Sequence, residues 1–180
     1  MKHDPYLLCV TGLKNSGKTT VCSAIIGALT ARGHQVAALK SSHMTALHLD
    51  HRATDSYALA ESGARFVLVQ AEQQSLIVEQ VSRSFPQMLE CVPKDVHFVV
   101  SEGGDPKAAA AVIVCLNDTR KLAETVRVRR IPPAKILALA GPFIHPGAPE
   151  SLQGIPVIDI KQAADRKKLL ALVLRRVHEA

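Results

Sequence analysis

At 180 residues the chain is long enough for one folded domain, and a domain of that size buries about two-thirds of the surface its unfolded form exposes. Hydrophobic residues at 47% and charged residues at 21% exclude a disordered polymer, while aromatics at 3% leave Leu, Val, Ile and Ala to build the core. The formal net charge of +6 suits an anionic ligand, but the basic residues are dispersed and lack aromatic interleaving, which argues against a nucleic-acid partner.

In chain order, residues 6–10 (Tyr-Leu-Leu-Cys-Val) form an unbroken apolar run, the mark of a strand buried on both faces. The chain enters it without a leader-like segment, and no apolar run reaches the roughly 18 residues that span a bilayer. A cytoplasmic protein with no membrane partner is therefore expected. Residues 18–32 follow as a helix, because Val21, Cys22, Ile25, Ile26 and Leu29 recur at three- and four-residue steps and Gly33 ends the pattern. Residues 36–39 are a second strand, which makes one βαβ unit with parallel pairing.

Residues 41–54 are polar and rich in histidine, with no clear period. A short helix over 55–61 stops at Gly63, and strands are predicted over 66–70 and 76–78. Within 82–91, Pro86 either stands near a helix start or breaks the helix. Short apolar strands are predicted at 96–100, 112–116, 136–140 and 157–160, a helix at 120–124 and an amphipathic closing helix at 163–177. Arg127 and Arg129 alternate with Val126 and Val128 as on a half-buried strand. The loop over 141–154, with its prolines and glycines, is a place where ligands often bind. Cys9, Cys22, Cys91 and Cys115 include no Cys-x-x-Cys pair, so buried, reduced thiols are expected. The alternation of strands and helices predicts a doubly wound fold: a three-layer αβα P-loop domain with a mainly parallel twisted sheet, spanning 1–180 as a single domain.

The sharpest chemical signal is Gly12-Leu13-Lys14-Asn15-Ser16-Gly17-Lys18-Thr19, which fits G-x-x-x-x-G-K-[ST] at every fixed position. Its glycines let the main chain curl until successive N–H groups point at phosphate oxygens. The helix that begins near Lys18 adds the positive end of its dipole. Lys18 is expected to reach the β- and γ-phosphates, the Thr19 hydroxyl to ligate Mg²⁺, and Thr20 to complete the loop. Such a loop works with an acid at the end of a nearby strand. Glu102, followed by Gly103 and Gly104, stands after the strand at 96–100, where open α/β sheets bind ligands.

The segment after the second strand carries Lys40, His43, His48, Asp50, His51, Asp55 and Ser56. Three readings stand side by side: an active-site loop with Asp50 or Asp55 near the magnesium or the transferred phosphate, a solvated loop, and a metal site whose spacing matches no zinc pattern. Asn117-Asp118 ends the strand at 112–116, where Asp118 could accept two hydrogen bonds from guanine, although a plain turn explains the pair equally well.

Taken together, Gly12 to Thr20, Lys40, His43, Asp50, Asp55-Ser56, Gly63-Ala64 and Glu102-Gly103 resemble the MobB family, the molybdopterin-guanine dinucleotide biosynthesis adaptor proteins. The likeness runs from about Tyr6 to Glu102. It implies a GTP-binding homodimer with Mg²⁺ and slow GTP hydrolysis, acting beside the molybdopterin guanylyltransferase, with molybdopterin itself as a further candidate partner. The guanine assignment rests mostly on this resemblance. On it, Lys18, Glu102 and Asp50 or Asp55 form the catalytic shell, and Thr19, Glu102 and Asp50 hold the metal. Three rivals fit the same residues: a P-loop small-molecule kinase or ligase, an adaptor whose nucleotide only sets a conformation, and a metal-insertion chaperone built on the histidine loop.

Overall fold

The computed structural model describes residues 4–42, 55–141 and 150–178. These residues divide into two compact units, residues 42–87 and the remainder. Among them no helix is long and apolar enough to cross a membrane.

The larger unit is built on a seven-stranded sheet. Its strands are β1 (Tyr6–Gly12), β2 (Val36–Lys40), β5 (Phe98–Glu102), β6 (Ala111–Cys115), β7 (Ile136–Gly141), β8 (Ser151–Leu152) and β9 (Ile155–Asp159), in the order β2-β5-β1-β6-β7-β9-β8. All neighbours are parallel except β8 and β9, which form a tight antiparallel pair turned by left-handed Gln153 and Gly154. The fold class is the α/β arrangement expected from the sequence. One connection differs, however. β1 and β2 are parallel but not paired, because β5 lies between them.

Burial explains why the strands read as unbroken apolar runs. In β1, Leu8 and Val10 join the main core cluster while Leu7 and Cys9 point the other way, and all four are buried. In β6, all five residues are buried. A parallel sheet of this kind needs a layer on each face. One layer contains α1 (Lys18–Thr30) and α5 (Ala163–His178), whose Val21, Ile25, Leu29, Leu169 and Val173 share the core with Leu8, Val100 and Ile113. Each such aliphatic side chain contributes about 2 kcal/mol by leaving water. α1 stops where Gly33 takes a left-handed φ of 81°, with His34 N–H donating to the Leu29 carbonyl and Gly33 N–H to that of Thr30.

Two boundaries depart from the sequence reading, and a third alternative is resolved. Glu102 is the last residue of β5 rather than the residue after it. Residues 126–130 are no strand: a single 3₁₀ turn (Thr119–Lys121) leads into α4 (Leu122–Val128), whose Leu122 and Thr125 are buried. Pro86 lies in the first turn of α3 (Phe85–Glu90), where its missing N–H costs nothing, and Ser84 and Gln87 cap that start reciprocally.

The smaller unit contains α2 (Asp55–Glu61) and the antiparallel hairpin of β3 (Phe66–Gln70) and β4 (Ser75–Glu79). α2 ends at left-handed Gly63, as the sequence indicates. On one face of the hairpin Leu68 stands opposite Ile77, and Phe66 opposite Glu79, which pairs with Arg65 and Arg83. Leu68 and Ile77 are 72% and 65% exposed.

Cys9, Cys22 and Cys115 are buried and reduced, whereas Cys91 is exposed. Burial pushes the Cys9 thiol up to about 11 and the Cys22 thiol up to about 12, the latter helped by the Glu102 carboxylate, and raises that of Cys115 further still. Thiolate is the reactive species, so these three should stay inert. A maleimide reagent at neutral pH should label native protein once, at Cys91, and label all four sites after unfolding. Mass spectrometry checks the count, and rapid native labelling of Cys9, Cys22 or Cys115 would contradict the packing described.

Candidate functional site

The loop over 12–19 leaves the buried β1 and enters α1 within a few residues. Asn15 and Gly17 take left-handed conformations, with φ of 60° and 84°, and Gly17 stands at the helix N-cap without a side-chain cap. A helix start left uncapped by a left-handed glycine is the kind of terminus that suits an anion. The Ser16 hydroxyl and the Lys18 ammonium both donate to the Leu13 carbonyl, at 2.9 and 2.7 Å, and hold the loop curled. Residues Lys14 to Thr20 and Glu102 line a cleft of about 460 Å³, which lies in the range of small-ligand sites.

Two glycines permit the packing under this loop. A methyl group on Gly12 would lie 2.4 Å from the Cys115 carbonyl oxygen and 2.6 Å from Ser16 Oγ. One on Gly141 would lie 2.5 Å from the Leu116 carbonyl oxygen and 3.7 Å from that of Ser16. Main chain therefore touches main chain at both points.

Glu102 forms the opposite wall. Its Cα pairs with Val10 of β1 on one side and Lys40 of β2 on the other, and its carbonyl accepts from Ser41 N–H at 3.1 Å. Thr19 Oγ1 donates to Glu102 Oε2 at 2.7 Å, and Lys40 Nζ stands 3.6 Å from Oε1. The hydroxyl has one proton and two lone pairs. With the proton committed to Glu102, both lone pairs remain for a cation, and an oxygen donor of this kind beside a carboxylate suits Mg²⁺. The residues present fit that ion.

Of the residues singled out from the sequence, Gly12 to Thr20 and Glu102 come together at one edge of the sheet. Asp55 is exposed at the start of α2 in the smaller unit. Asp50, with His43, His48 and His51, lies outside the described residues, as does most of the loop after Gly141. Asn117 and Asp118 follow β6, but Asp118 caps the 3₁₀ turn through Arg120 N–H and receives the Arg120 guanidinium on both oxygens, at 3.0, 3.1 and 2.8 Å. That guanidinium, with the Arg120 amide, pulls the Asp118 carboxyl down to about 2. Lys40 figures in the sequence as part of the family pattern and is not singled out there as a site residue. Its place beside Glu102 follows from β5 lying between β1 and β2, which no local pattern announces.

A parallel sheet with a glycine-lysine loop after its first buried strand, and an acid on the neighbouring strand, defines an α/β protein of P-loop-like fold. The profile described as Molybdopterin guanine dinucleotide synthesis protein B matches residues 7–140, and the chain belongs to this MobB family. The molybdopterin-guanine dinucleotide biosynthesis adapter protein of Haemophilus influenzae is 31% identical over 77 residues, which span 43% of this chain and 43% of that protein. Bacillus subtilis MobB has a similar fold, with a TM-score of 0.71 at 18% identity over 93% of this chain and 97% of that one. A MobB homolog from Bacillus stearothermophilus gives 0.62 at 17% identity over 97% and 99%.

The Gly12 contact gives a paired expectation. Gly12→Ala pushes a methyl group into a main-chain oxygen and should destabilise the protein by about 1–3 kcal/mol. Gly27→Ala, on the exposed side of α1 with nothing within 4 Å of the new methyl, should stabilise it by about 1 kcal/mol. Urea unfolding of both variants checks the sign of each.

Proposed function

We propose that the cleft binds the triphosphate of GTP together with Mg²⁺ and turns it over slowly, in the service of molybdopterin guanine dinucleotide synthesis. The observation that supports this most is the uncapped helix start at Gly17 with the Thr19 hydroxyl already donating to Glu102. The main-chain amides of residues 13–19 would hold phosphate oxygens. Lys18 has three donors, so it can keep the Leu13 carbonyl and still offer two to the β- and γ-phosphates. Thr19 would hold the metal directly, and Glu102 would complete the shell and orient water. The metal, when bound, would supply positive charge to the phosphate oxygens.

Guanine is favoured by the family to which the chain belongs. Asn117 and Asp118 are the candidate base contacts, and Asp118 could accept two hydrogen bonds from guanine only by releasing Arg120. The Haemophilus relative's designation as an adapter favours a second reading of the same site, in which the nucleotide sets a conformation for a partner. The molybdopterin guanylyltransferase is the partner expected in a cytoplasmic setting, with molybdopterin a further candidate ligand. A homodimer is the assembly in which the apolar hairpin face of Phe66, Leu68 and Ile77 would be covered.

Two experiments test these readings. Lys18→Ala should weaken Mg·GTP binding by about 100-fold or more, since it removes the charged contact to the phosphates. Calorimetry that finds GTP affinity unchanged in this variant would remove the site. Replacing Leu68 and Ile77 together with lysine should convert a two-chain particle into a single folded chain in light scattering, and a mass still equal to two chains would rule out the hairpin as the interface.

A further inference from the structure

Lys18 lines the cleft and Lys40 stands beside its wall residue Glu102, and the two are held in different ways. Lys18 belongs to the loop and donates to the Leu13 carbonyl at 2.7 Å. Lys40 ends β2, and among the described residues the ion pair with Glu102 Oε1, at 3.6 Å, is what ties its side chain to the site. The two members of that pair also differ. The Glu102 side chain is 16% exposed on a strand clamped from both sides, while the Lys40 side chain is 66% exposed on a four-carbon stem. An ion pair with so exposed a partner is weakly held in water. A phosphate group, with close to two negative charges and three acceptor oxygens, competes for that ammonium on better terms than one carboxylate oxygen does.

Position adds a second argument. Residues 14–20 take up the floor of the cleft, and Glu102 stands at its wall. Lys40 lies across Glu102 from the strand that leads into the loop. We propose that Lys40 is a second phosphate-contacting residue of this site, which recognises the terminal phosphate of a nucleoside triphosphate and releases Glu102 Oε1 as it does so. The inference rests on the phosphate-binding reading given above and deepens it, because it makes Lys40 the residue that tells a triphosphate from a diphosphate. The freed Oε1 can then accept a hydrogen bond from water near that phosphate, while Oε2 keeps the Thr19 hydroxyl.

Calorimetry with Mg²⁺ and two probes, GDP and a non-hydrolysable GTP analogue, tests this on the full chain. Lys40→Met should weaken the analogue by about tenfold and leave GDP within about twofold, and Lys40→Arg should restore most of the loss. Equal weakening of both nucleotides, or of neither, would overturn the assignment. Lys18→Ala in the same series separates the two ideas, since it should lower both affinities whatever Lys40 does. If it lowers neither, the phosphate-binding reading fails and the role of Lys40 fails with it. Thermal unfolding of Lys40→Met should match that of the native chain, as expected of an exposed side chain.

Discussion

Uncapped amides at the start of α1 are the constraint from which the rest of the site follows. A helix leaves its first N–H groups without partners inside the helix. A serine, threonine or aspartate at the N-cap would fold an oxygen over them and contribute about 1 kcal/mol. This chain has Gly17 there in a left-handed conformation, so the terminus stays open. The framework can carry that cost because both neighbours are deeply buried: β1 from Leu7 onward, and α1 through Val21, Cys22, Ile25 and Leu29. Affinity for an anion and stability are thus supplied by different residues of the same segment.

The chemistry opposite the loop is set by strand order. Parallel strands bring their C-terminal ends to one edge of the sheet, which is where open α/β folds bind ligands. Because β5 is inserted between β1 and β2, its last residue has the loop's threonine on one side and a lysine on the other. A single carboxylate at the end of β5 thereby links the start of α1 to the end of β2. Had β1 and β2 been neighbours, Glu102 would stand beside only one of those partners.

Much of this was legible in the sequence, for identifiable reasons. The 12–19 loop is local: eight contiguous positions specify both the turn and the groups it presents. The strands could be read because burial on both faces removes any polar alternation. Their adjacency could not, since neighbours in sequence are usually neighbours in the sheet and β5 breaks that rule. Lys40 was missed as a site residue for this reason alone. The valine-arginine alternation at 126–129 suggested a strand, but four residues cannot separate a two-residue period from the outer side of a helix. The cap by Asp118 and the buried Leu122 and Thr125 decide for the helix. Asp118 itself shows a limit of another kind. Its residue type suits a base contact, yet the arginine two positions on occupies both its oxygens.

Gly12 and Gly141 leave the packing beneath the loop with no adjustable parts. Where side chains line a cavity, its dimensions drift with each methylene gained or lost, and a lineage can retune them gradually. Here peptide oxygens abut alpha carbons, so mutation can only retain the spacing or wreck it. Changes in what this pocket accepts are consequently easier to make at the far wall and beyond the strand ends than in the main-chain contacts beneath the loop.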